Sequence, residues 1–335
     1  MKKIRIAAIA AACLMAAPTF ALAGCAAKDD TVVLRVSNWE EYIDLGGWGD
    51  DEAIDIENTY TGEDYIFGEN SVVDDFTEWF NSQNFGFNVR VEYSTFGTNE
   101  DLYNQLNLGD VYDLVCPSDY MIMKLLEEGE IQPFSEDFMD EDNEQNYYIN
   151  NVSSYIDGAE GSIFDDYGWS GIAACYMWGT TGFAFNPELV DDNSDVSACH
   201  ILTNSDYFKS VTVKDNVRDA YFAALSILFE DELNAINADS GMSEAEKAEA
   251  RSALLNNTDA ETIAAAEDIL KDIKENVYSF ETDSGKTDMV TGKVIANYQW
   301  SGDAVYILDQ ADEDDTELWY SIPEECTNLW FGGWV

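Results

Sequence analysis

From Val32 onward, short β-rich apolar runs alternate with segments whose apolar residues recur at helical spacing. Val32–Val36 reads as a strand. Val72, Val73, Phe76, Trp79 and Phe80 fall at i, i+1, i+4, i+7 and i+8, one face of an amphipathic helix. Val89–Tyr93 reads as the next strand. Thr98 then caps a helix carrying Leu102, Leu106 and Leu108, and Leu114–Cys116 forms a further strand closed by Pro117-Ser118. This alternation predicts an α/β fold, a mostly parallel sheet covered by helices, which receives ligands at the carboxyl ends of its strands.

The second half continues the pattern. Residues 172–185 are apolar around Trp178-Gly179-Thr180-Thr181-Gly182, where the glycines predict a sharp change of direction and a boundary between two lobes. Val211–Val213 leads through Asn216-Val217-Arg218-Asp219 into a long apolar helix reaching about Ile236. Two more helices follow, with Ser243/Glu246 and Thr258/Glu261 as capping boxes. Val294–Trp300 is the next strand. The sequence stops inside a strand-like run, Trp330–Val335, so we expect the whole protein to continue beyond it. Residues 44–71 have the Gly, Asp and Glu content of an exposed insertion, and 131–151 that of a solvated loop. Asp140-Glu141-Asp142-Asn143-Glu144 lacks the glycine and closing glutamate of a helix-loop-helix calcium site.

Lys2, Lys3 and Arg5 precede an Ala-rich apolar run, Ile6 to Leu22, the layout of an export signal and too short for a good membrane span. Its end, Leu22-Ala23-Gly24-Cys25, resembles the bacterial lipoprotein signal, which predicts removal of residues 1–24 and acylation of Cys25. Cleavage removes three positive charges and no negative ones, taking the formal charge from -51 to -54. So acidic a surface excludes nucleic acid as a partner and argues against electrostatic docking on anionic lipid. It does not by itself specify a cationic ligand, because exposed charge is screened within about 8 to 10 Å at ordinary salt.

With 46% hydrophobic and 13% aromatic residues, the 335-residue chain is long enough for two folded lobes. Cys116, Cys175, Cys199 and Cys326 form no Cys-x-x-Cys pair, so zinc and redox motifs are absent; up to two disulfides or buried free thiols both fit an exported protein. The lone His200, in a Cys-His-Ile-Leu run, reads as a packed structural residue, leaving no histidine-based triad or metal site. No cofactor is expected.

Two tryptophan-carboxylate stretches remain, Trp39-Glu40-Glu41-Tyr42 and Trp300-Ser301-Gly302-Asp303, each just after a predicted strand. Indole faces beside carboxylates suit an organic ammonium, through cation–π attraction of roughly 0.5 to 2 kcal/mol and charge-assisted hydrogen bonds. Asn216 and Asp219 also fit a helix N-cap with an acidic N3 residue, and the two roles are compatible.

Trp39 to Tyr42, Tyr112-Asp113-Leu114-Val115-Cys116-Pro117-Ser118-Asp119-Tyr120, Glu127-Glu128-Gly129-Glu130-Ile131-Gln132 and Trp178-Gly179-Thr180-Thr181-Gly182, in this order and spacing, resemble the spermidine/putrescine-binding proteins of bacterial polyamine ABC transporters. The resemblance covers Val32 to Val335 with 44–71 inserted, and family members extend further at the C-terminus. It implies a type II periplasmic-binding-protein-like fold, each lobe a mixed sheet flanked by helices, hinged by crossover strands. Lobe 1 would span 32–179 and lobe 2 180–330, with 331–335 returning to lobe 1 and 25–31 tethering the whole to the lipid.

Such a protein, exported and lipid-anchored at the outer face of the membrane or periplasmic, would close on a polyamine and deliver it to permease subunits. The resemblance places Trp39 and Tyr42 as cleft rings, with Glu40 where Ser or Thr is usual. Ser118 and Tyr120 supply a further hydroxyl and ring, Asp219 an amine-binding acid and Asn216 its usually acidic companion. Trp300 stacks on the alkyl chain, Asp303 is the carboxylate of putrescine-type members, and Trp330 is the last cleft tryptophan. Gly332 stands where an amine-anchoring Asp is usual, and an inward Glu40 would replace that charge. With Asp303, Asp219 and Glu40 as its acids, the site would suit a putrescine-like diamine better than spermidine. Alternatives are a binding protein of the same fold for an amino acid derivative, sugar or cationic vitamin, a lipid-anchored sensor subunit, and a carbohydrate-active enzyme pairing tryptophans with acids.

Overall fold

The computed structural model describes residues 31–47, 54–57, 64–67, 69–140, 142–143, 146–190, 193–313 and 316–335. The expected leader (1–24), Cys25, all but the last residue of the 25–31 tether and part of the 44–71 insertion lie outside the described residues.

The elements run β1 (Thr31–Trp39), β2 (Ile54–Glu57), β3 (Asp64–Phe67), α1 (Val72–Ser82), β4 (Asn88–Phe96), α2 (Asn99–Leu108), β5 (Leu114–Val115) and α3 (Asp119–Glu128). Next come α4 (Ile163–Tyr167), β6 (Ala174–Phe185), β7 (Val211–Lys214), α5 (Val217–Leu228), α6 (Glu230–Ala238), α7 (Glu244–Leu255), α8 (Ala260–Asn276) and β8 (Ser279–Glu281). The last are α9 (Ser284–Val290), β9 (Ala296–Trp300), α10 (Ser301–Glu313), β10 (Trp319–Ser321) and β11 (Leu329–Trp334). The described residues fall into two compact units, one within 31–36 and 41–93, the other within 37–40 and 94–335.

In the first unit, α1 forms where its spacing predicts, capped by Ser71, whose hydroxyl accepts from the Asp74 N–H. Its apolar face is only partly covered: Phe80 lies 5.0 Å from Phe85 and 5.4 Å from Phe87, ring centroid to ring centroid, and no residue of the helix is buried. β2 and β3 make a two-stranded antiparallel ladder.

In the second unit, strands order as β10-β6-β9-β7-β8, and β11 pairs with β6. β7 is parallel to β8 and β9, whereas β6 runs antiparallel to β9, β10 and β11. The sheet is therefore mixed rather than mostly parallel. Both faces are covered by helices. Phe183, Phe185, Val211, Val213 and Tyr298 pack with Ala223 of α5 and Ile273 of α8. On the opposite side Ala184 packs with Met289 of α9 and Ala304, Ile307 and Ala311 of α10. The smaller sheet is ordered β4-β1-β5, and the ends of β1 and β4 belong to this unit.

Gly179 and Gly182 do not turn the chain. They lie inside the unbroken twelve-residue β6, and their role is close approach: a Cβ at Gly179 would lie 2.4 Å from the Ser301 Oγ, and one at Gly182 would lie 2.3 Å from the Ser321 carbonyl oxygen. The predicted helix to Ile236 is two helices divided at Phe229. The Ser243/Glu246 capping box is present. The cap before α8, however, is Asp259, whose carboxylate accepts from the Glu261 and Thr262 N–H groups, one residue beyond the expected Thr258. A disulfide joins Cys199 and Cys326, with Cα atoms 5.6 Å apart, and Cys116 and Cys175 are free thiols. His200 is only half-buried and faces Glu230 at 3.3 Å. Among the described residues no helix is long and apolar enough to cross a membrane.

Candidate functional site

The parallel strands β9, β7 and β8 end side by side, bringing Trp300, Lys214 and Glu281 to one edge of the larger sheet. This carboxyl edge is where an open α/β sheet leaves a crevice for ligands. The α5 and α10 helices begin there, each carrying an acid in its first turn, Asp219 and Asp303. Asn216 caps α5, its side-chain oxygen accepting from the Arg218 N–H at 2.8 Å and the Asp219 N–H at 3.3 Å. The capping role is therefore real, and it fixes the backbone from which Asp219 projects.

Trp300 links the acids. Its indole N–H donates to the Asp219 carboxylate at 3.0 Å, and the Lys214 ammonium lies 4.1 Å from its ring centroid. That ammonium also sits 3.5 Å from Glu281 and 3.6 Å from Asp303 and donates to the Thr282 carbonyl. Lys286 approaches the other Asp303 oxygen at 3.9 Å. Glu281 is buried, accepting from the Gly285 N–H at 2.7 Å and the Asn297 amide at 3.1 Å.

Burial pushes the Asp219 carboxyl up to about 6, outweighing the Trp300 hydrogen bond and the Lys214 charge, which act to lower it; nearby Asp119 pushes further upward. The dipole at the start of α5, worth only about 0.3 to 1 kcal/mol, does not cancel that desolvation. Burial likewise raises Asp303 against the pull of Lys214 and Lys286, and it lowers Lys214 against the pull of Glu281 and Asp303.

A narrow pocket of about 10 Å³ opens beside these groups, lined by Trp39, Gly97, Thr98, Lys214, Asp215, Asn216, Thr282 and Trp300. It has room for about one water. Trp39 is braced by Phe96, ring centroids 4.9 Å apart. The structure thus brings together Trp39, Asn216, Asp219, Trp300 and Asp303.

The other expected residues stand differently. Ser118 precedes α3, its N–H donating to Asn99, and forms a bridge with Gly332. The Tyr120 hydroxyl accepts from Asn99 and donates to Glu100, both at 3.0 Å, and the Arg218 guanidinium lies 5.4 Å from its ring centroid, which ties α3 to the start of α5. Trp330 packs on Gly179 and donates to the Thr180 carbonyl at 3.2 Å. Glu40 is exposed and does not line the pocket. Tyr42 belongs to the other compact unit.

Three groups escaped the sequence reading. Lys214 closes a four-residue apolar strand in a chain with 16 Lys and Arg in all, and that isolation was the available signal. Glu281 ends β8 in the same way. Asp119, between the two expected residues Ser118 and Tyr120, accepts from the Tyr120 and Phe331 N–H groups and is raised by burial. Among the described residues no group of three or more His, Cys, Asp or Glu is arranged to hold a metal ion.

Comparison with known proteins agrees with this architecture. The family described as bacterial extracellular solute-binding protein matches residues 72–335. The chain is 26% identical over 323 residues to the spermidine/putrescine-binding periplasmic protein of Escherichia coli, covering 95% of this chain and 71% of that one. Among solved structures, it is similar to the spermidine/putrescine ABC transporter substrate-binding protein of Streptococcus pneumoniae, at a TM-score of 0.55 and 22% identity, over 90% of this chain and 72% of that one. It is also similar to a lipoprotein of Treponema pallidum, at a TM-score of 0.58 and 16% identity, over 90% and 74% of the two chains. These structural matches establish the fold, that of type II periplasmic binding proteins.

Proposed function

The chain belongs to the bacterial extracellular solute-binding protein family, and from that membership we propose that it is the substrate-binding component of a polyamine ABC importer. It captures a polyamine outside the cell and delivers it to membrane permease subunits, held at the outer face of the cell membrane by acylated Cys25. Among polyamines it favours a putrescine-like diamine over spermidine. The curated relative from Escherichia coli is a spermidine/putrescine-binding protein, which supports the substrate class.

The observation that carries this reading is the Trp300 ring, bonded at its N–H to the buried Asp219 carboxylate and already holding an alkylammonium, that of Lys214, 4.1 Å from its centroid. A site with that chemistry stabilises alkylammonium groups by cation–π attraction and charge-assisted hydrogen bonding together. Burial makes both stronger than at an exposed surface. Asp219 and Asp303 are the acids assigned to the ligand's amines, Trp39 and Trp300 the rings along its chain, and Asn216 the residue that positions Asp219. Capture requires no chemistry, only tighter binding of the ligand-loaded form that the permease recognises.

A thermal-shift panel of putrescine, cadaverine, spermidine and neutral sugars tests the proposal. The expected result is a concentration-dependent rise in Tm with the diamines, a smaller one with spermidine and none with sugars. A rise with sugars alone would overturn the amine assignment.

A further inference from the structure

We propose that Lys214 is a built-in ammonium that fills one amine position of the site, and so sets how many positive charges its ligand can carry. The inference rests on the polyamine reading above and deepens it. The Lys214 ammonium makes every contact that reading assigns to a ligand amine at the Trp300–Asp303 end: it lies over the indole at 4.1 Å and beside the Asp303 carboxylate at 3.6 Å. Glu281 at 3.5 Å and the Thr282 carbonyl complete its coordination, and the side chain is fully buried. Lys214 also lines the narrow pocket beside Trp39 and Trp300.

The acids therefore divide. Asp303 and Glu281 share the single Lys214 ammonium, with Lys286 also near Asp303. Asp219 has a different environment: it accepts from Trp300 and from Asn328, and among the described residues no lysine or arginine forms an ion pair with it. A ligand ammonium is matched at the Asp219 end, and any charge directed toward Asp303 must compete with an ammonium already attached to the chain. A buried like charge is costly because little water screens it. The number of uncompensated carboxylates is one measure of ligand charge, and Lys214 reduces it by one. Discrimination of this kind acts through repulsion of the wrong ligand as much as attraction of the right one.

Titration calorimetry with putrescine and spermidine tests the assignment in the wild type, in Lys214→Met and in the double variant Lys214→Met/Glu281→Gln. The single variant leaves Glu281 buried without its cation and can fail to fold; the double variant removes that charge too, while the substituted amide keeps an oxygen for the Gly285 N–H. The expected result is a rise of at least tenfold in the affinity for spermidine relative to putrescine in every variant that folds by circular dichroism. A ratio within threefold of the wild type would overturn the role of Lys214 and leave the polyamine reading standing. Absence of any amine binding by the wild type would overturn both.

Discussion

Asp219 shows how burial and function oppose each other at a single side chain. Its carboxyl is raised from 3.8 to about 6, chiefly by burial, so keeping it ionised at neutral pH costs the ligand-free fold up to about 3 kcal/mol. Because its folded pKa lies above the unfolded one, its stabilising contribution is complete below about pH 4 and is lost as pH rises through 6. Asp219→Asn keeps an oxygen for the Trp300 N–H and removes the charge. We therefore expect urea denaturation to find the variant more stable than wild type by about 1 to 3 kcal/mol at pH 7.5, with the gap closing toward pH 4. A variant less stable than wild type at pH 7.5 would mean that the carboxylate is satisfied inside the protein.

Among the elements, those set by local rules were legible in the sequence. The Thr98 and Asn216 caps follow from a hydroxyl or amide oxygen reaching N–H groups two or three residues on. The α1 helix follows from its apolar spacing. Where two physical uses of one residue compete, the sequence misleads. Gly179 and Gly182 are glycines because neighbouring backbone and side chains come too close for a Cβ, and that crowding exists only once β6 lies against β10, β11 and the start of α10. The break at Phe229 interrupts no apolar spacing, so periodicity runs through it. Gly182→Ala should separate β10 from β6, because the Ser321 carbonyl is backbone and cannot swing aside. Urea unfolding should show a loss of about 1 to 3 kcal/mol; a loss under about 0.5 kcal/mol would show that the ladder yields easily.

For the whole molecule, a formal charge of -51 argues against polyanionic partners without locating a site. What locates it is topology: the registers of β7 with β8 and β9 bring Lys214, Glu281 and Trp300 together although they lie far apart in the sequence. The residues that meet at the candidate site, Trp39, Asn216, Asp219, Trp300 and Asp303, were therefore readable as residue types in order. Their internal compensation by Lys214 was not, because it depends on which strand ends meet. The account stands on an amine binding at Asp219 beside Trp300. Calorimetric titration of putrescine into the wild type and Asp219→Asn at pH 7.5 decides it. Saturable one-to-one binding by the wild type, weakened at least tenfold in the variant, is predicted from the roughly 1.5 to 3 kcal/mol of a charged hydrogen bond. Equal putrescine affinity in the two proteins would contradict it.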